Sequence, residues 1–324
     1  MKKVAITTES TADLSPELIK QYNIHVVPFG VLLGEEMLYD GNFSTTEIFD
    51  FVDKTKILPK TCAVNEFQFE EFFKNLLKEY DEIIHISMSL RFSSAVKNAR
   101  NVAERLGKEK IHVIDSKSLS TGVGLQVIYA AELLAEGKEV DEIVRLVESR
   151  KMKAQASFVV NTLDYLYMGG RCSGLSRTLG TILRLKPQIL VQDGSMSPGK
   201  KYIGKQSACV YNYCVDIIKQ FPNICKKHVF ITHSHATVEM IEEAKRALRE
   251  YGVTEVHETI AGATITSHCG PKCLGILYYN DGDIDVVENK VVQKKADKQA
   301  KKIEKKKQRK ENKNLRAEKK KSKK

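Results

Sequence analysis

The sequence predicts an α/β protein of two domains followed by a basic tail, and three observations support this. Strand and helix patterns alternate up to about Lys153, and short β-like runs surround a few helices from there to about residue 288. Lysine dominates the remainder, and at ~150 residues per domain the chain has room for about two domains. We therefore expect a doubly wound parallel-sheet α/β domain over residues 1–153. An α+β domain with a mainly antiparallel sheet should follow over 154–288, with a lysine-rich tail over 289–324.

The first domain opens with apolar, β-branched residues at 4–8, which predict a strand. Ser15 followed by Pro16 is a favourable start for a helix that runs to about residue 22. Further strands are expected at 24–28, 82–87 and 110–115, and capping boxes at Ser44/Glu47 and Asn65/Gln68 begin two more helices. This alternation predicts right-handed βαβ units, whose parallel sheet binds ligands at the carboxyl ends of its strands.

The second domain shows shorter elements in a less regular order. Strands are expected at residues 157–160, 188–192, 228–232, 255–260 and 274–279, and helices at 163–168, 175–185, 206–219 and 238–251. Asp193-Gly194 is typical of a tight hairpin turn. Short strands around a few helices are typical of an α+β domain, and we expect a mainly antiparallel sheet.

The net charge of +11 is concentrated in the tail. Residues 290–324 hold 18 of the 52 basic side chains and four of the 41 acidic ones, so they carry +14 and the rest carries −3. The tail could be a helix or a disordered run, and its charge suits an anionic membrane or a polyanion such as RNA. Nucleic-acid binding through the tail therefore stays an alternative function, although the folded body does not favour it.

The cysteines and apolar runs point to a cytoplasmic protein. Seven cysteines show no disulfide framework spacing, the first residues lack the apolar run of a signal peptide, and no stretch approaches the ~18 apolar residues of a membrane span. We expect reduced thiols.

The segment from Gly122 to Val127 lacks the third glycine of a dinucleotide fingerprint, so its glycines should instead allow a helix to pack closely on the sheet. His268, Cys269 and Cys273 lack the second ligand pair of a zinc site, so neither metal nor cofactor is expected.

Serines and threonines crowd the predicted strand ends and leave an enzymatic alternative open. His85 or His268 could act as a base and Asp115 as an orienting acid, an inventory that permits hydrolase chemistry. The G-x-S-x-G elbow is absent, and hydroxyl groups after strands more often form caps and turns. The concrete alternative is a serine hydrolase or acyltransferase that uses Ser93 and His268.

Two further residues have the chemistry of an anion site. Arg171 follows Gly169-Gly170 at the end of a predicted helix, where the backbone can bend and a guanidinium can bind carboxylate or phosphate. His268 is predicted to lie in a tight turn, 268–271, between two strands. Each residue taken alone also fits a structural role, as a surface arginine or a hydrogen-bonded core histidine.

Six segments in a fixed order give the chain a family resemblance. They read ITTESTADL at 6–14, PKTC at 59–62, HISMSLRFSSAVKNA at 85–99, IDSKSLSTGVG at 114–124, LDYLYMGGRCSGLSRTLGTILRLKPQI at 163–189 and SHCGPKCLG at 267–275. In this order and spacing they resemble the DegV family, fatty-acid-binding proteins that serve as acyl carriers for bacterial fatty acid kinase. The resemblance implies a non-enzymatic protein that binds a long-chain fatty acid, such as palmitate, in an apolar tunnel between its domains. It also implies presentation of the acid to a separate ATP-dependent kinase and transfer of acyl phosphate toward phospholipid synthesis.

The resemblance further implies which residues hold the carboxylate. The threonine of the family's P-x-T-S-Q-P falls on Thr61, the serine of S-S-x-L-S-G-T on Ser93, the arginine of G-G-R-I on Arg171, and the histidine of H-x-G-P-G on His268. Two hydroxyl donors and an arginine would suit a carboxylate.

Four departures from the family pattern accompany these matches. They are Cys62-Ala63-Val64 for Ser-Gln-Pro, Ser94-Ala95 for Gly-Thr, Lys272 for the last glycine of H-x-G-P-G, and Ile203 for an arginine after the hairpin. The first three flank the implied site and are expected to tighten or reshape it. The fourth, Ile203, is expected to lie on the face that would meet the kinase.

Overall fold

The computed structural model describes residues 2–171 and 185–282. Its strands are β1 (Val4–Glu9), β2 (Ile24–Val27), β3 (Gly30–Leu33), β4 (Glu36–Tyr39), β5 (Lys60–Cys62), β6 (Glu82–Ser87), β7 (Ile111–Asp115), β8 (Ala154–Val159), β9 (Leu185–Gln192), β10 (Ser195–Ile203), β11 (Ile224–Ser234), β12 (His257–Ile260) and β13 (Cys273–Asn280). Its helices are α1 (Pro16–Gln21), α2 (Thr45–Thr55), α3 (Glu66–Leu76), α4 (Ala95–Leu106), α5 (Thr121–Ala135), α6 (Val140–Arg150), α7 (Asp164–Met168), α8 (Gln206–Gln220), α9 (Val238–Glu250) and α10 (Ala263–Cys269).

The first half of the chain builds a parallel sheet in the order β2-β1-β6-β7. Helix α3 packs on it through Phe69 and Phe73, and α4 packs on it through Val102, in a buried cluster that includes Ala5 and Ile83 of the strands. Helices α5 and α6 pack against β1, β6 and β7. Both capping boxes are present, so the predicted starts of α2 at Ser44 and α3 at Asn65 are confirmed.

The second half builds a mixed sheet in the order β10-β9-β8-β13-β11-β12, in which only the β11–β12 pair is parallel. Asp193 and Gly194 form the predicted two-residue turn between β9 and β10, with φ angles of 46° and 72°. Helices α8 and α9 cover this sheet through a cluster that contains Tyr213 and Tyr278. The two sheets confirm the predicted fold class.

Helix α5 joins the two large sheets, because it contacts β1 and β6 of one and β8, β11 and β13 of the other. Its residues are buried on nearly every face, as expected of a helix inside a core. A Cβ at Gly122 would come within 3.2 Å of Ala156 Cβ, and one at Gly124 within 2.7 Å of Leu14 Cδ2. The predicted role of these glycines in close packing is therefore confirmed.

A small antiparallel sheet in the order β4-β3-β5 was not predicted from the sequence. Its strands have three or four residues each, and β4 is largely exposed, so no alternating apolar pattern marks them. This sheet fixes the position of Thr61, which lies in β5 and pairs with Val31 of β3.

One local prediction was wrong, and others lie outside the described residues. His268 and Cys269 form the last turn of α10 instead of a turn between two strands, because the chain between β12 and β13 is long enough to wind into a helix. The predicted helix at 175–185 lies outside the described residues except for Leu185, which begins β9. The tail at 289–324 also lies outside them, and the domain boundaries at 153 and 288 stay predictions. Within the described residues, no helix is both long and apolar enough to cross a membrane.

Candidate functional site

A cavity of about 230 Å³ lies where the loops after the parallel strands meet the small sheet and α10. We call this cavity the larger chamber, to distinguish it from a smaller one beside it. It is lined by all four residues that the sequence singled out, Thr61, Ser93, Arg171 and His268. Its other walls are mainly apolar and include Phe29, Met88, Phe92, Leu119, Met196 and Ile265. A mostly apolar cavity with a few convergent polar groups is the usual form of a small-molecule site.

Thr61 and His268 are in direct contact although they are far apart in sequence. Thr61 Oγ1 lies 2.8 Å from His268 Nε2, within hydrogen-bonding distance. The pairing of β5 with β3 fixes the threonine, and the last turn of α10 presents the imidazole. The other ring nitrogen, Nδ1, is buried and has no hydrogen-bond partner among the described residues.

His268 is held in its neutral form. Burial, with the Arg171 guanidinium nearby as a second cause, lowers the pKa of His268 to about 4. Gly169 allows this close packing, since a Cβ at that position would lie 2.4 Å from His268 Nδ1. A neutral imidazole can donate one hydrogen bond and accept another, and it adds no charge to the chamber.

Arg171 and Ser93 border the same chamber from two other elements. Arg171 follows α7 and is exposed, and its Nη1 donates a hydrogen bond to Gly169 O at 2.8 Å. Gly170, with φ of 70°, provides the predicted backbone bend just before it. Ser93 precedes α4, and its Oγ accepts a hydrogen bond from Ala95 N at 3.2 Å.

A smaller, more apolar chamber of about 60 Å³ adjoins the larger one. The two share the lining residues Leu119, Met196, Ile265 and His268, and Phe158, Leu166 and Leu277 extend the apolar wall. His268 therefore lies where the chamber that holds the polar groups continues into a more apolar one. This arrangement suits an amphiphile with an anionic head and a hydrocarbon chain.

The structure does not assemble the residues that hydrolase chemistry would need. His268 bonds to Thr61, and no hydrogen bond links its ring to Ser93 or to a carboxylate among the described residues. His85 lines neither chamber, and it is buried between Thr7 Oγ1 at 2.9 Å and Glu9 Oε1 at 3.2 Å. Asp115 pairs with Lys117 Nζ at 2.9 Å. Within residues 2–171 and 185–282, no group of three or more His, Cys, Asp or Glu side chains could hold a metal ion.

Two of the departures from the family pattern lie in the cavity wall. Ala63 and Ser94 line the larger chamber, whereas Lys272 lies in the loop before β13 with φ of 58°. Ile203 ends β10 and is 75% exposed. Sequence reasoning missed the apolar wall residues Met88, Met196 and Ile265, because nothing in their local pattern separates a cavity wall from an ordinary core.

Known proteins similar to this chain share one family description. A family model described as "Uncharacterised protein, DegV family" matches residues 3–281. A DegV domain-containing protein of Caldanaerobacter subterraneus is 31% identical over 281 residues, which are 86% of this chain and 99% of the relative.

Solved structures show the same fold. A fatty-acid-binding DegV family protein of Thermus thermophilus has a TM-score of 0.79 and 26% identity, over 86% of this chain and 99% of that one. A DegV family protein of Ruminococcus gnavus, described with vaccenic acid, has a TM-score of 0.76 and 20% identity, over 85% and 99%. The chain belongs to the DegV family.

Proposed function

We propose that this protein binds a long-chain fatty acid, with the carboxylate in the larger chamber and the acyl chain passing His268 into the smaller one. One observation carries the proposal. Thr61, Ser93, Arg171 and His268 come from four separate parts of the sequence, yet they line one cavity that continues into an apolar chamber. The Thermus thermophilus relative, which binds fatty acid, supports the choice of ligand.

The carboxylate would be recognised by groups that differ in strength. The Ser93 hydroxyl can donate a hydrogen bond. Thr61 and His268 can donate one more between them, because one of their two protons lies in the bond that joins them. The Arg171 guanidinium supplies charge-assisted hydrogen bonds, which are roughly twice as strong as neutral ones. Burying ~14 methylenes at about 0.8 kcal/mol each offers roughly 11 kcal/mol before the costs of ordering, so the acyl chain supplies most of the affinity.

The binding protein itself would not be the catalyst. On the family resemblance, we propose that it acts in the cytoplasm, presents the bound acid to a separate ATP-dependent fatty acid kinase and carries the acyl phosphate toward phospholipid synthesis. The geometry supports a binding role over the serine hydrolase alternative, because Ser93 and His268 are not hydrogen-bonded to each other in the described part of the chain. Hydrolysis of acyl esters by the pure protein, lost in Ser93→Ala, would reverse that preference.

The ligand can be tested by mass spectrometry of lipid extracted from the purified native protein. We expect a fatty acid of ~14–18 carbons, at about one molecule per protein chain, since each additional buried methylene adds affinity until the acyl chain fills the tunnel. Repeated extraction of no acyl chain, together with no uptake of added palmitate, would refute the proposal.

The carboxylate site can be tested by calorimetric titration of the delipidated protein with palmitate. Arg171→Ala should weaken binding by about 1.5–3 kcal/mol, the range for a hydrogen bond to a charged group. Thr61→Val and Ser93→Ala should each cost about 0.5–1.5 kcal/mol, as expected of neutral donors. If Arg171→Ala folds normally and binds palmitate as the wild type does, these residues do not form the carboxylate site.

A further inference from the structure

The start of α10 is held by two carboxyl groups from the first half of the chain. Asp40 Oδ1 accepts a hydrogen bond from Ala263 N at 2.7 Å, and Asp40 Oδ2 accepts one from Thr264 N at 3.1 Å. Asp13 Oδ1 accepts one from Gly262 N at 2.8 Å. The first N–H groups of an α-helix have no partners within the helix, so these two distant side chains replace a local cap.

Gly262 provides the space for this contact. Its backbone, with φ of −63° and ψ of 174°, is one that any residue can adopt, so glycine is not needed there for conformation. A Cβ at this position would lie 2.9 Å from Asp40 Oδ1 and 3.2 Å from Asp13 Oδ1. Alanine at position 262 would therefore force the start of the helix and these carboxyl groups apart without straining its own backbone.

Both carboxyl groups are buried and are themselves held in place. Asp13 is 5% exposed, and its Oδ2 is hydrogen-bonded to Ser120 Oγ at 2.5 Å. Asp40 is 7% exposed and accepts a hydrogen bond from Ser10 Oγ at 3.3 Å. Burial, with the charge of Asp40 as a lesser cause, raises the pKa of Asp13 to about 8. Asp13 therefore keeps its proton at neutral pH.

Helix α10 connects these carboxyl groups to the candidate site. It has seven residues, so at ~1.5 Å per residue its two ends are about 10 Å apart. Thr264 and Ile265 line the larger chamber near its start, and His268 contacts Thr61 in its last turn. A shift at the start of so short a helix would move His268 as well.

We propose that Asp13 and Asp40 are positioning residues, which fix α10 so that His268 meets Thr61 and, with it, the ligand carboxylate. The ligand part of this proposal rests on the proposed function. The titration of His268 reports on the position of α10 and palmitate affinity reports on the ligand, so the two can be tested separately.

The test compares Asp40→Ala and Gly262→Ala with the wild type in the full-length, delipidated protein. The first readout is the NMR titration of the His268 ring, and the second is palmitate affinity by calorimetry. We expect both variants to move the His268 pKa from about 4 toward 6.5. Palmitate binding should weaken about tenfold, as expected if the displaced His268–Thr61 pair loses one hydrogen bond to the ligand carboxylate. If Asp40→Ala does not fold, Gly262→Ala carries the test alone.

Two comparisons separate positioning from general stability. Thr237→Ala removes the cap of α9, where Thr237 Oγ1 accepts a hydrogen bond from Met240 N at 3.3 Å, and α9 lines neither chamber. It should lower stability and leave both readouts unchanged. Asp13→Asn should restore what Asp13→Ala loses, because an amide offers an oxygen to Gly262 N and a donor to Ser120.

The outcomes are distinct. Wild-type His268 titration and wild-type palmitate affinity in both Asp40→Ala and Gly262→Ala would overturn the positioning proposal. A changed His268 titration in these variants, in a protein whose wild type takes up no palmitate, would support positioning and refute the fatty-acid function instead.

Discussion

Acidification should destabilise the ligand-free protein through His268. Its pKa is lowered from 6.5 to about 4 by burial and by Arg171, so the folded protein takes up this proton only near pH 4. The unfolded chain takes up the same proton near pH 6.5. Between these values the unfolded state binds more protons, and the free energy of unfolding therefore falls as the pH falls.

The size of the effect follows from the shift. At 1.36 kcal/mol per pKa unit, lowering the pKa from 6.5 to about 4 corresponds to about 3 kcal/mol, lost between roughly pH 6.5 and pH 4. The variant His268→Gln lacks the titrating imidazole and serves as the reference. The difference in unfolding free energy between the wild type and His268→Gln should therefore change by about 3 kcal/mol, in favour of the variant, from pH 7 to pH 4.

The assay is urea denaturation of delipidated protein, followed by far-ultraviolet circular dichroism at several pH values from 7 to 4. The chain has no tryptophan, so fluorescence is a weaker probe. Taking the difference between the two proteins cancels other groups that titrate in this range, such as His233 and His257, whose pKa values are also lowered by burial. A difference that stays constant from pH 7 to pH 4 would refute the reasoning, because it would mean that His268 titrates normally in the folded protein.

Three further predictions concern Asp13, Lys272 and the tail. Because the pKa of Asp13 is raised to about 8, the folded state holds a proton that the unfolded state releases near pH 4. In the same denaturation assay, the free energy of unfolding should therefore fall from pH 4 to pH 8 more for the wild type than for Asp13→Asn. An equal dependence of the unfolding free energy on pH in the two proteins would contradict this. Lys272 has φ of 58°, a left-handed conformation that strains a side chain, so Lys272→Gly should raise the free energy of unfolding by about 0.5–1 kcal/mol, and destabilisation would count against it. Removing residues 289–324 should abolish binding to anionic vesicles and leave palmitate binding intact, because each lysine near an anionic surface contributes about 1 kcal/mol to membrane binding. Equal vesicle binding with and without the tail would make the tail a solubility element.

The fold was predictable from the sequence where elements carry local signals. The caps at Ser44 and Asn65 and the Asp193-Gly194 turn act within a few residues, so their chemistry is visible in the sequence and was confirmed. The small sheet was missed because its strands are too short to show a period. His268 was expected in a turn, because Gly270 and Pro271 are typical of turns. It lies instead in the seven-residue helix α10, whose start is stabilised by the distant carboxyl groups of Asp13 and Asp40.

The candidate site was predictable only as far as the family resemblance reached. It named Thr61, Ser93, Arg171 and His268, and the structure places them around one cavity. The contact of Thr61 with His268, and the roles inferred for Asp13 and Asp40, depend on pairings across more than 200 residues, which no local pattern reveals.

The apolar chamber and the head-group site depend on each other through His268. The walls that suit an acyl chain also desolvate this ring, and together with Arg171 they keep it neutral. Among the described residues that line the larger chamber, Arg171 alone carries a permanent charge, so it would supply the main attraction for a carboxylate. A bound carboxylate would place a negative charge beside the imidazole and raise its pKa, since an opposite charge favours the protonated form. Binding and proton uptake would then be linked at one side chain, which lies at the junction of the two chambers and is held there by the start of its helix.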